Sequence, residues 1–504
     1  MAKDAKYDLI IIGGGAAAFS AAIKANTHGV KTVMIERAAL GGTCVNVGCV
    51  PSKNLLGAGE IIYSAKYPVY HSISSCELIF DFSKTIAYKD NLIKRLCKEK
   101  YYDVISLFEN VELIGANASF ISDKKLKVNS NNNKNGSKSK ILEADKFIIA
   151  TGSSPSIPSF KGIDRVDYLT NNEALSLKEK PSSMIVIGGG PLGLEFAQMY
   201  SRFGTKVTLL QRSNRIIPYY EPEISEGLRY YLGEEEGEGI EIVTSVEIKE
   251  VYQKNGSKLV TALVDHKHNN NDDDRESKKK EKTAATRQMK VFEAEQLLIA
   301  TGRRPNTTDL HLENIGVKTR ENDGAIVVNS EMHTTAPHIW AGGDVVGKPM
   351  LETLAAKEGA TAAENALTGS HKKIDFLSVP SAVFTSPQVA SVGLTEQQMT
   401  EKYGYCLCRT LKIDQVPKAL TVNETKGLVK MVIDPKKNNR IVGVHILANI
   451  AADMIHEAVM AVKYRLTVDD IIDTVHVFPT MTEAIKLIAT SFKQDISKVS
   501  CCAE

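Results

Sequence analysis

Two cysteines near the N-terminus have a spacing that could support redox chemistry. Cys44 and Cys49 are separated by four residues in the segment LGGTCVNVGCVPSK. A disulfide requires Cα atoms within about 7 Å, whereas a regular helix would aim these two side chains well apart. The turn between them must therefore be distorted, and Gly48 makes such a distortion easier. The segment predicts a redox-active pair, with free or metal-binding cysteines as the alternative.

A second pair, Cys501 and Cys502, stands next to the C-terminus in SKVSCCAE. Adjacent Cα atoms lie about 3.8 Å apart, which is below the comfortable range for a disulfide. Soft thiolates prefer soft metal ions, and a dithiol can pass such an ion on by ligand exchange. The tail therefore favours metal chelation over an incidental pair.

A glycine loop after the first predicted strand is typical of dinucleotide binding. Gly13, Gly15 and Ala18 fit the G-x-G-x-x-G/A pattern, in which the backbone approaches a pyrophosphate at a helix N-terminus. Glu36 ends the next strand, where a carboxylate can accept hydrogen bonds from ribose hydroxyls. This loop predicts binding of the ADP half of FAD.

A second loop repeats this pattern with Gly188, Gly190 and Gly193. Its following strand ends in TLLQRSNR, without the ribose-binding acid, and Arg212 and Arg215 stand there instead. An acid would repel a 2′-phosphate, whereas guanidinium groups bind one bidentately. The loop favours NADPH over NADH, with ordinary surface charge as the alternative explanation for the arginines.

The two loops belong to an internal duplication of a strand, loop, helix and strand unit. Each unit is followed by an apolar strand ending in Ala-Thr-Gly, in FIIATGS and in LLIATGRRPN. The chain therefore holds two dinucleotide-binding domains. The predicted boundaries are 1–160 and 306–376 for the FAD domain, 161–305 for the NAD(P)H domain and 377–504 for the C-terminal domain.

The C-terminal domain has no glycine loop and is predicted to be α+β. Strand-like segments at 427–433 and 440–446 precede a helical one at 452–464. Cys406 and Cys408 fall at period two in YGYCLCRTL, which places both on one face of a strand. A core face is favoured over a metal site for them.

Length and composition exclude several classes of function. A chain of 504 residues indicates about three domains. Lys and Arg total 62 against 60 Asp and Glu, so no global field attracts nucleic acid or an anionic membrane. No apolar run reaches the length of a membrane span, and eight cysteines are too few for a secreted disulfide scaffold. We expect a cytoplasmic protein with a small-molecule or metal-ion partner.

The quoted motifs resemble those of the pyridine nucleotide-disulfide oxidoreductases. The resemblance covers nearly the whole chain and includes GGGAAAFSAA, the cysteine segment, ATGRRPN, AGGDV and VFTSPQVASVGLTE. It implies a glutathione reductase-like α/β fold with two Rossmann-like domains and a C-terminal α+β dimerisation domain. It also implies a homodimer whose active site is shared across the interface.

The resemblance assigns roles to the cysteine pair and its surroundings. Cys49 would be the sulfur next to the flavin, and Cys44 the interchange sulfur facing the substrate. Lys53 would pair with Glu195 near the flavin ring. Lys53 also lies about one helical turn beyond Cys49, so its cation could stabilise a reduced, anionic flavin.

Other cofactor contacts follow from the same resemblance. Asp344 would bind the ribityl or phosphate region of FAD, and Ala116 would lie at the adenine. Further residues expected at the cofactors are Gly42, Thr43, Thr151, Gly152 and Gly302.

The closing motif departs from that of the members that act on thiols. These end with His-Pro-x-x-x-Glu, whereas this chain has FPTMTE, with Phe478 in place of histidine and Glu483 kept. Without the histidine, protonation of a leaving thiol is harder, which weighs against lipoamide or glutathione. His476 stands two residues earlier, about 6.6 Å away along an extended segment, which would misplace its ring.

Within the family, the chain most resembles the mercuric reductases, which share the first loop and a Cys-Cys tail. We therefore expect reduction of Hg(II) to Hg(0), with Cys44, Cys49, Cys501 and Cys502 as metal ligands. The tail pair of one subunit would deliver the ion to the other subunit. Since the chain starts directly at the flavin strand, we expect no delivery from an N-terminal metal-binding domain.

Two alternatives stay open at this point. One is a dihydrolipoamide dehydrogenase-like enzyme or another disulfide reductase. The other is a flavoprotein that serves as a binding subunit of a multienzyme complex.

Overall fold

The computed structural model describes residues 5–130, 139–233, 237–265, 287–347 and 349–498. The chain divides into two compact units. The first consists of Met1–Asn54, Lys84–Ser156 and Gly302–Val379. The second consists of Leu55–Ser83, Ile157–Thr301 and Pro380–Glu504.

Helices and strands follow one another in four stretches of chain. Up to residue 156 they are β1 (Ala5–Ile12), α1 (Ala16–Thr27), β2 (Thr32–Glu36), α2 (Gly42–Val47), α3 (Cys49–Lys66), α4 (Phe82–Cys97), α5 (Asp103–Ile105), β3 (Val111–Ser122), β4 (Lys125–Ser130), β5 (Ser139–Ile149) and β6 (Ser153–Pro155). Up to residue 301 they are α6 (Asn171–Ala174), β7 (Ser183–Ile187), α7 (Pro191–Arg202), β8 (Lys206–Leu210), α8 (Pro222–Leu232), β9 (Glu241–Val243), β10 (Glu247–Lys254), β11 (Ser257–Asp265), β12 (Arg287–Ala294) and β13 (Gln296–Ile299).

The remaining two stretches complete the fold. Up to residue 379 the elements are β14 (Arg303–Pro305), β15 (Ile339–Ala341) and α9 (Glu352–Thr368). After it they are β16 (Ser381–Val383), β17 (Gln388–Gly393), α10 (Glu396–Tyr403), β18 (Leu407–Lys412), α11 (Pro417–Thr421), β19 (Leu428–Asp434), β20 (Arg440–Ala448), α12 (Ala451–Tyr464), α13 (Val468–Asp473) and α14 (Glu483–Thr490).

The first unit is built on a parallel sheet of order β3-β2-β1-β5-β15. Strand β4 pairs antiparallel with both β3 and β5. Residues 9–12 of β1 are buried, as expected for a strand covered on both faces. Because ligands bind at the carboxyl ends of such strands, this edge of the sheet is the place for a nucleotide.

Small residues let helix α1 pack closely against α9. The buried alanines Ala17, Ala18, Ala21 and Ala22 form one side of α1. A Cβ atom on Gly359 of α9 would clash with the carbonyl oxygen of Ala17. The small side chains at this contact therefore allow the close packing that positions α1, and with it the first glycine loop, over the sheet.

The second unit repeats the parallel arrangement in the order β13-β7-β8-β9. A separate antiparallel sheet contains β10, β11 and β12. The C-terminal part of the second unit contains a five-stranded antiparallel sheet of order β16-β17-β20-β19-β18. Residues of this sheet form a hydrophobic core together with residues of α12 and α14. The predicted fold class, two Rossmann-like domains followed by an α+β domain, is confirmed.

Helix length and hydropathy bear on membrane insertion. Within the described residues, no helix is both long enough and apolar enough to cross a bilayer.

Candidate redox and nucleotide sites

The chain breaks its helical path between the two predicted redox cysteines. Helix α2 ends at Val47, and Cys49 is the first residue of α3. A Cβ atom on the intervening Gly48 would lie 2.8 Å from the carbonyl oxygen of Thr43 and 3.2 Å from the Cα of Cys44. Glycine therefore permits the tight break that brings the two cysteines together.

The two sulfurs are thiols that interact with each other. Cys44 is half-buried and Cys49 is exposed. The pKa of Cys44 is raised well above its usual range, first by a hydrogen bond with Cys49, then by burial and by Glu352. Cys44 therefore keeps its proton when no acceptor or metal is present.

Glu352, the first residue of α9, is a neighbour of Cys44 that no sequence motif indicated. Burial raises the pKa of its carboxyl group, the nearby charge of Asp344 raises it further, and a hydrogen bond with Cys44 opposes the shift. A carboxyl group with a raised pKa beside a thiol is suited to exchanging a proton with it. Its position depends on the approach of α9, which lies about 300 residues along the chain from Cys44.

Arg303 links three segments of the first unit. Its Nε donates to Ser153 Oγ at 2.7 Å, and its Nη2 donates to the Ser153 carbonyl at 2.7 Å and to Thr43 Oγ1 at 3.3 Å. Ser153 Oγ in turn donates to Asp344 Oδ2 at 2.5 Å. Thr43 and Asp344, both predicted at the cofactor, are thus connected by hydrogen bonds through Arg303 and Ser153. These two residues lie within the sequence motifs, but no role was predicted for them.

The loop before Asp344 is held by another buried acid. Glu358 is 3% exposed, and its Oε2 accepts a hydrogen bond from the Gly343 amide at 2.6 Å. Burial raises the pKa of Glu358 to about 7. Gly343 itself has φ +82, a conformation that suits glycine.

A cleft of ≈ 650 Å³ opens at the carboxyl edge of the first sheet. Four of the residues predicted to bind FAD line it, namely Gly13, Glu36, Ala116 and Thr151. Glu36 Oε1 accepts from the Ala38 amide at 2.7 Å, which orients the carboxylate at the strand end. The cleft is large enough for part of a dinucleotide, and its acid stands where a ribose would be bound.

Polar residues of the cleft that the sequence motifs did not indicate include members of 304–311 and of the middle of β3. Asn306 is the best connected of them: its Nδ2 donates to the Thr151 carbonyl at 2.9 Å, and its carbonyl accepts from Thr151 Oγ1 at 2.7 Å. The others include Asn117, Ser119, Arg304, Asp309 and His311.

The glycine loop itself fits a pyrophosphate. Gly13 has φ +124, and a Cβ atom there would clash with the carbonyl oxygen of Ala150. Gly42 has φ +57, and its Cβ would lie 2.7 Å from the Cα of Gly15. Gly15 caps α1 without a side-chain hydrogen bond, so the helix N-terminus can receive an anion.

Lys53 and Glu195, predicted to pair, belong to different units. Lys53 is half-buried on α3, four residues beyond Cys49 and thus about one turn along the same helix. Glu195 on α7 is 6% exposed, and its Oε1 accepts from the Phe384 amide at 2.9 Å. Their pairing stays a prediction.

The second glycine loop has the same strained geometry as the first. Gly188 has φ +117 and would clash with the Ala300 carbonyl if it carried a Cβ atom. A Cβ atom on Gly193 would clash in the same way with the Gly188 carbonyl oxygen. Gly190 is the N-cap residue of α7. Gly188 and Gly193 are thus required by close backbone contacts, as expected for a nucleotide loop, whereas a Cβ atom on Gly190 would meet no atom within 4 Å.

Gln211 occupies the position after β8 at which a ribose-binding acid would stand. Its Oε1 accepts from the Gly189 amide at 2.8 Å, so it supports the loop. Of the two predicted arginines, Arg212 is exposed, whereas Arg215 donates from Nη2 to the Pro218 carbonyl at 3.3 Å. The guanidinium group of Arg212 is therefore more accessible than that of Arg215 to a 2′-phosphate of a nucleotide.

The closing motif has a buried acid and an exposed aromatic ring. Glu483 is 9% exposed, and its Oε2 has no hydrogen-bond partner among the described residues. Phe478 is 47% exposed. His476 Nε2 lies 2.7 Å from Glu457 Oε1, so the imidazole is already paired with another acid.

The predicted tail ligands Cys501 and Cys502 lie outside the described residues.

Comparison with family models matches almost the whole chain. Residues 7–359 match the pyridine nucleotide-disulphide oxidoreductase family. Residues 379–489 match its dimerisation domain.

Among curated proteins, mercuric reductases are similar over 99% of this chain. The Staphylococcus aureus enzyme is 41% identical, with 85% of its own length covered, and the Streptomyces lividans enzyme is 40% identical, with 98% covered. A dihydrolipoyl dehydrogenase from Geobacillus stearothermophilus is 32% identical over 94% of both chains.

Among solved structures, the HOCl-induced flavoprotein disulfide reductase RclA from Escherichia coli, in a Cu(II) complex, superposes with a TM-score of 0.80. It is 27% identical and covers 97% of this chain and 100% of its own.

Proposed function

Because this chain belongs to the pyridine nucleotide-disulphide oxidoreductase family, we propose that it reduces Hg(II) to Hg(0) with electrons from NADPH. At the coarser level it is an FAD-dependent NAD(P)H oxidoreductase of the disulfide reductase type. In the proposed reaction, NADPH and Hg(II) yield NADP⁺, Hg(0) and one proton. Two electrons are transferred, and no other oxidant or reductant is needed.

The similarity to mercuric reductases along 99% of the chain is the observation on which this proposal rests. The closing motif supports it. Phe478 cannot transfer a proton, and the imidazole of His476 is paired with Glu457. A substrate that leaves as a thiol needs such a proton, whereas a metal ion does not.

The residues around the cysteine pair suit a soft cation. The thiols of Cys44 and Cys49 can bind Hg(II) together once they lose their protons. Glu352, hydrogen-bonded to Cys44, can accept one of these protons. When bound, FAD would supply the two-electron chemistry that links the nicotinamide to this site.

We assign the binding of FAD to the first unit. The loop containing Gly13 and Gly15 would receive the pyrophosphate, and Glu36 would bind the adenosine ribose. Asp344, oriented by Arg303 and Ser153, would bind the ribityl or phosphate region. In the proposed homodimer, Cys501 and Cys502 of the partner subunit capture Hg(II) and pass it to Cys44 and Cys49 by ligand exchange.

An anaerobic assay with Hg(II) and excess low-molecular-weight thiol tests the function and the tail together. We expect Hg(II)-dependent NADPH oxidation by the wild type. The Cys501→Ala/Cys502→Ala variant should be slower by roughly tenfold or more, because a delivery ligand is lost. NADPH should reduce the flavin equally in both proteins.

Three outcomes would contradict the proposal. The first is no Hg(II)-dependent oxidation by enzyme whose flavin NADPH reduces. The second is robust lipoamide turnover, unaffected by the tail substitutions, which would support a dihydrolipoamide dehydrogenase-like enzyme. The third is stoichiometric mercury binding without NADPH consumption, which would support a binding protein.

Arg212→Ala tests the proposed preference for NADPH. Loss of an exposed guanidinium that binds the 2′-phosphate should lower kcat/KM for NADPH roughly tenfold to hundredfold and leave the value for NADH unchanged. Arg215→Ala is the matched control, because that guanidinium donates to the Pro218 carbonyl. Equal losses with both nucleotides in steady-state assays would contradict a 2′-phosphate contact.

A further inference from the structure

A second group of cation ligands lies in the C-terminal domain, in the second unit. The Sγ atoms of Cys406 and Cys408 and a carboxylate oxygen of Glu396 lie within 4.8 Å of one another. Within the described residues, this group meets the geometric requirement of at least three His, Cys, Asp or Glu ligands for one metal ion. It takes no part in the redox site described above.

Local backbone structure explains why these three side chains converge. Cys406 immediately precedes β18 and Cys408 is its second residue, so strand alternation points both sulfurs to one side. Glu396 is the first residue of α10, whose N-terminus is fixed by a capping box at Thr395. The sequence pattern favoured a core face for the cysteines because they alternate along a strand and cysteine is usually buried; it contained no sign that Glu396 folds beside them.

The sulfurs are only partly covered by apolar side chains. Cys406 and Cys408 are half-buried and pack against a small cluster of Met399, Val432 and Val442. The side chain of Glu396 is 45% exposed. An ion could therefore reach the group from solvent on the glutamate side.

The surroundings of the group contain more acidic than basic side chains. The buried ammonium group of Lys430 contacts carboxylates of Glu221 at 3.0 Å, Glu223 at 2.9 Å and Glu396 at 2.6 Å. The second oxygen of Glu223 is buried without a hydrogen-bond partner among the described residues. Three carboxylates thus share one ammonium, and an added cation would reduce their repulsion.

The neighbouring imidazole does not balance this charge. His445 Nε2 lies 3.7 Å from Glu221 Oε1, but burial lowers the pKa of His445, which favours its neutral form.

We propose that Cys406, Cys408 and Glu396 form a second cation site, which takes a soft divalent ion such as Zn(II) or Cd(II). Two thiolates and a carboxylate are a ligand set for such ions, with water completing a tetrahedron. Hard cations such as Mg²⁺ prefer six oxygen ligands and do not suit it. The proposal does not depend on the reduction of mercury.

Cd(II) binding to the FAD-loaded protein tests the site directly. We expect one tightly bound Cd(II) per subunit, measured by equilibrium dialysis, with a thiolate-to-cadmium absorption band in the ultraviolet. Zn(II) should displace the Cd(II), and Mg²⁺ should not. The background protein lacks the other paired cysteines through alanine substitutions at Cys44, Cys49, Cys501 and Cys502.

Substitutions within this background separate a ligand from a structural role. Cys406→Ala/Cys408→Ala should abolish the band and the bound Cd(II), and Glu396→Gln should weaken binding by roughly tenfold or more. Glu223→Gln is the matched control, because Glu223 also contacts Lys430 but is not in the ligand group. It should keep the full stoichiometry.

The proposal is wrong if the background protein and the Cys406→Ala/Cys408→Ala variant bind the same amount of Cd(II). It is also wrong if Glu396→Gln and Glu223→Gln weaken binding equally, since that would indicate a general effect on the Lys430 cluster. Thermal unfolding and flavin content check that each variant is folded. A failure here would leave mercury reduction by the unsubstituted protein unaffected, so the two proposals are tested separately.

Discussion

Cys49→Ala should lower Hg(II)-dependent NADPH oxidation by about a thousandfold or more, because a redox pair acts as a unit and one sulfur cannot replace both. The flavin of this variant should still be reduced by NADPH in a single-turnover experiment. Cys44→Ala should have an effect of the same size. Anaerobic stopped-flow absorbance would separate the two half-reactions.

Cys97→Ala is the matched control for the cysteine pair. Its thiol lies in the same unit and donates to Asn46 Oδ1 at 3.3 Å, beside helix α2, but it does not belong to the pair. Its activity should stay close to that of the wild type. Turnover by Cys49→Ala within about tenfold of this control would contradict a redox role for the pair.

Gly13→Ala should nearly eliminate bound FAD. Gly13 has φ +124, and the added Cβ atom would meet the Ala150 carbonyl oxygen, so the loop or the sheet edge must shift. Because each 1.4 kcal/mol corresponds to about tenfold in affinity, a displacement costing several kcal/mol would leave little flavin on the purified protein. Flavin absorbance relative to protein concentration measures this content.

Gly29→Ala separates the clash from the general cost of a positive φ. Gly29 has φ +66 in the same unit, but a Cβ atom there meets no atom within 4 Å. Its substitution should lower the free energy of unfolding by about 1 to 2 kcal/mol and leave FAD content unchanged. Equal flavin loss in both variants would show that backbone strain, not the close approach at Gly13, controls binding.

The fold class was predictable because its evidence is local in the sequence. Apolar strands followed by glycine loops mark both Rossmann-like domains, and carbonyl oxygens leave no room for a Cβ atom at Gly13, Gly188 and Gly193. The predicted strands and helix of the C-terminal domain likewise appear as β19, β20 and α12.

The surroundings of each site were not predictable in the same way. Arg303, Ser153 and Glu352 reach the cofactor and cysteine region from segments far apart in the chain. Side chains of these types occur throughout any sequence, and no fixed spacing links them to Cys44. Their roles follow from how the sheet and α9 pack in the first unit.

The two nucleotide loops and the fold class could be read from the residues alone, because each depends on backbone geometry within a few residues. Three sets of contacts became visible only in the folded chain: Glu352 with Cys44, Arg303 with Thr43 and Asp344, and Glu396 with Cys406 and Cys408. Contacts between distant segments depend on how whole helices and strands pack, and residue spacing along the chain does not record that packing.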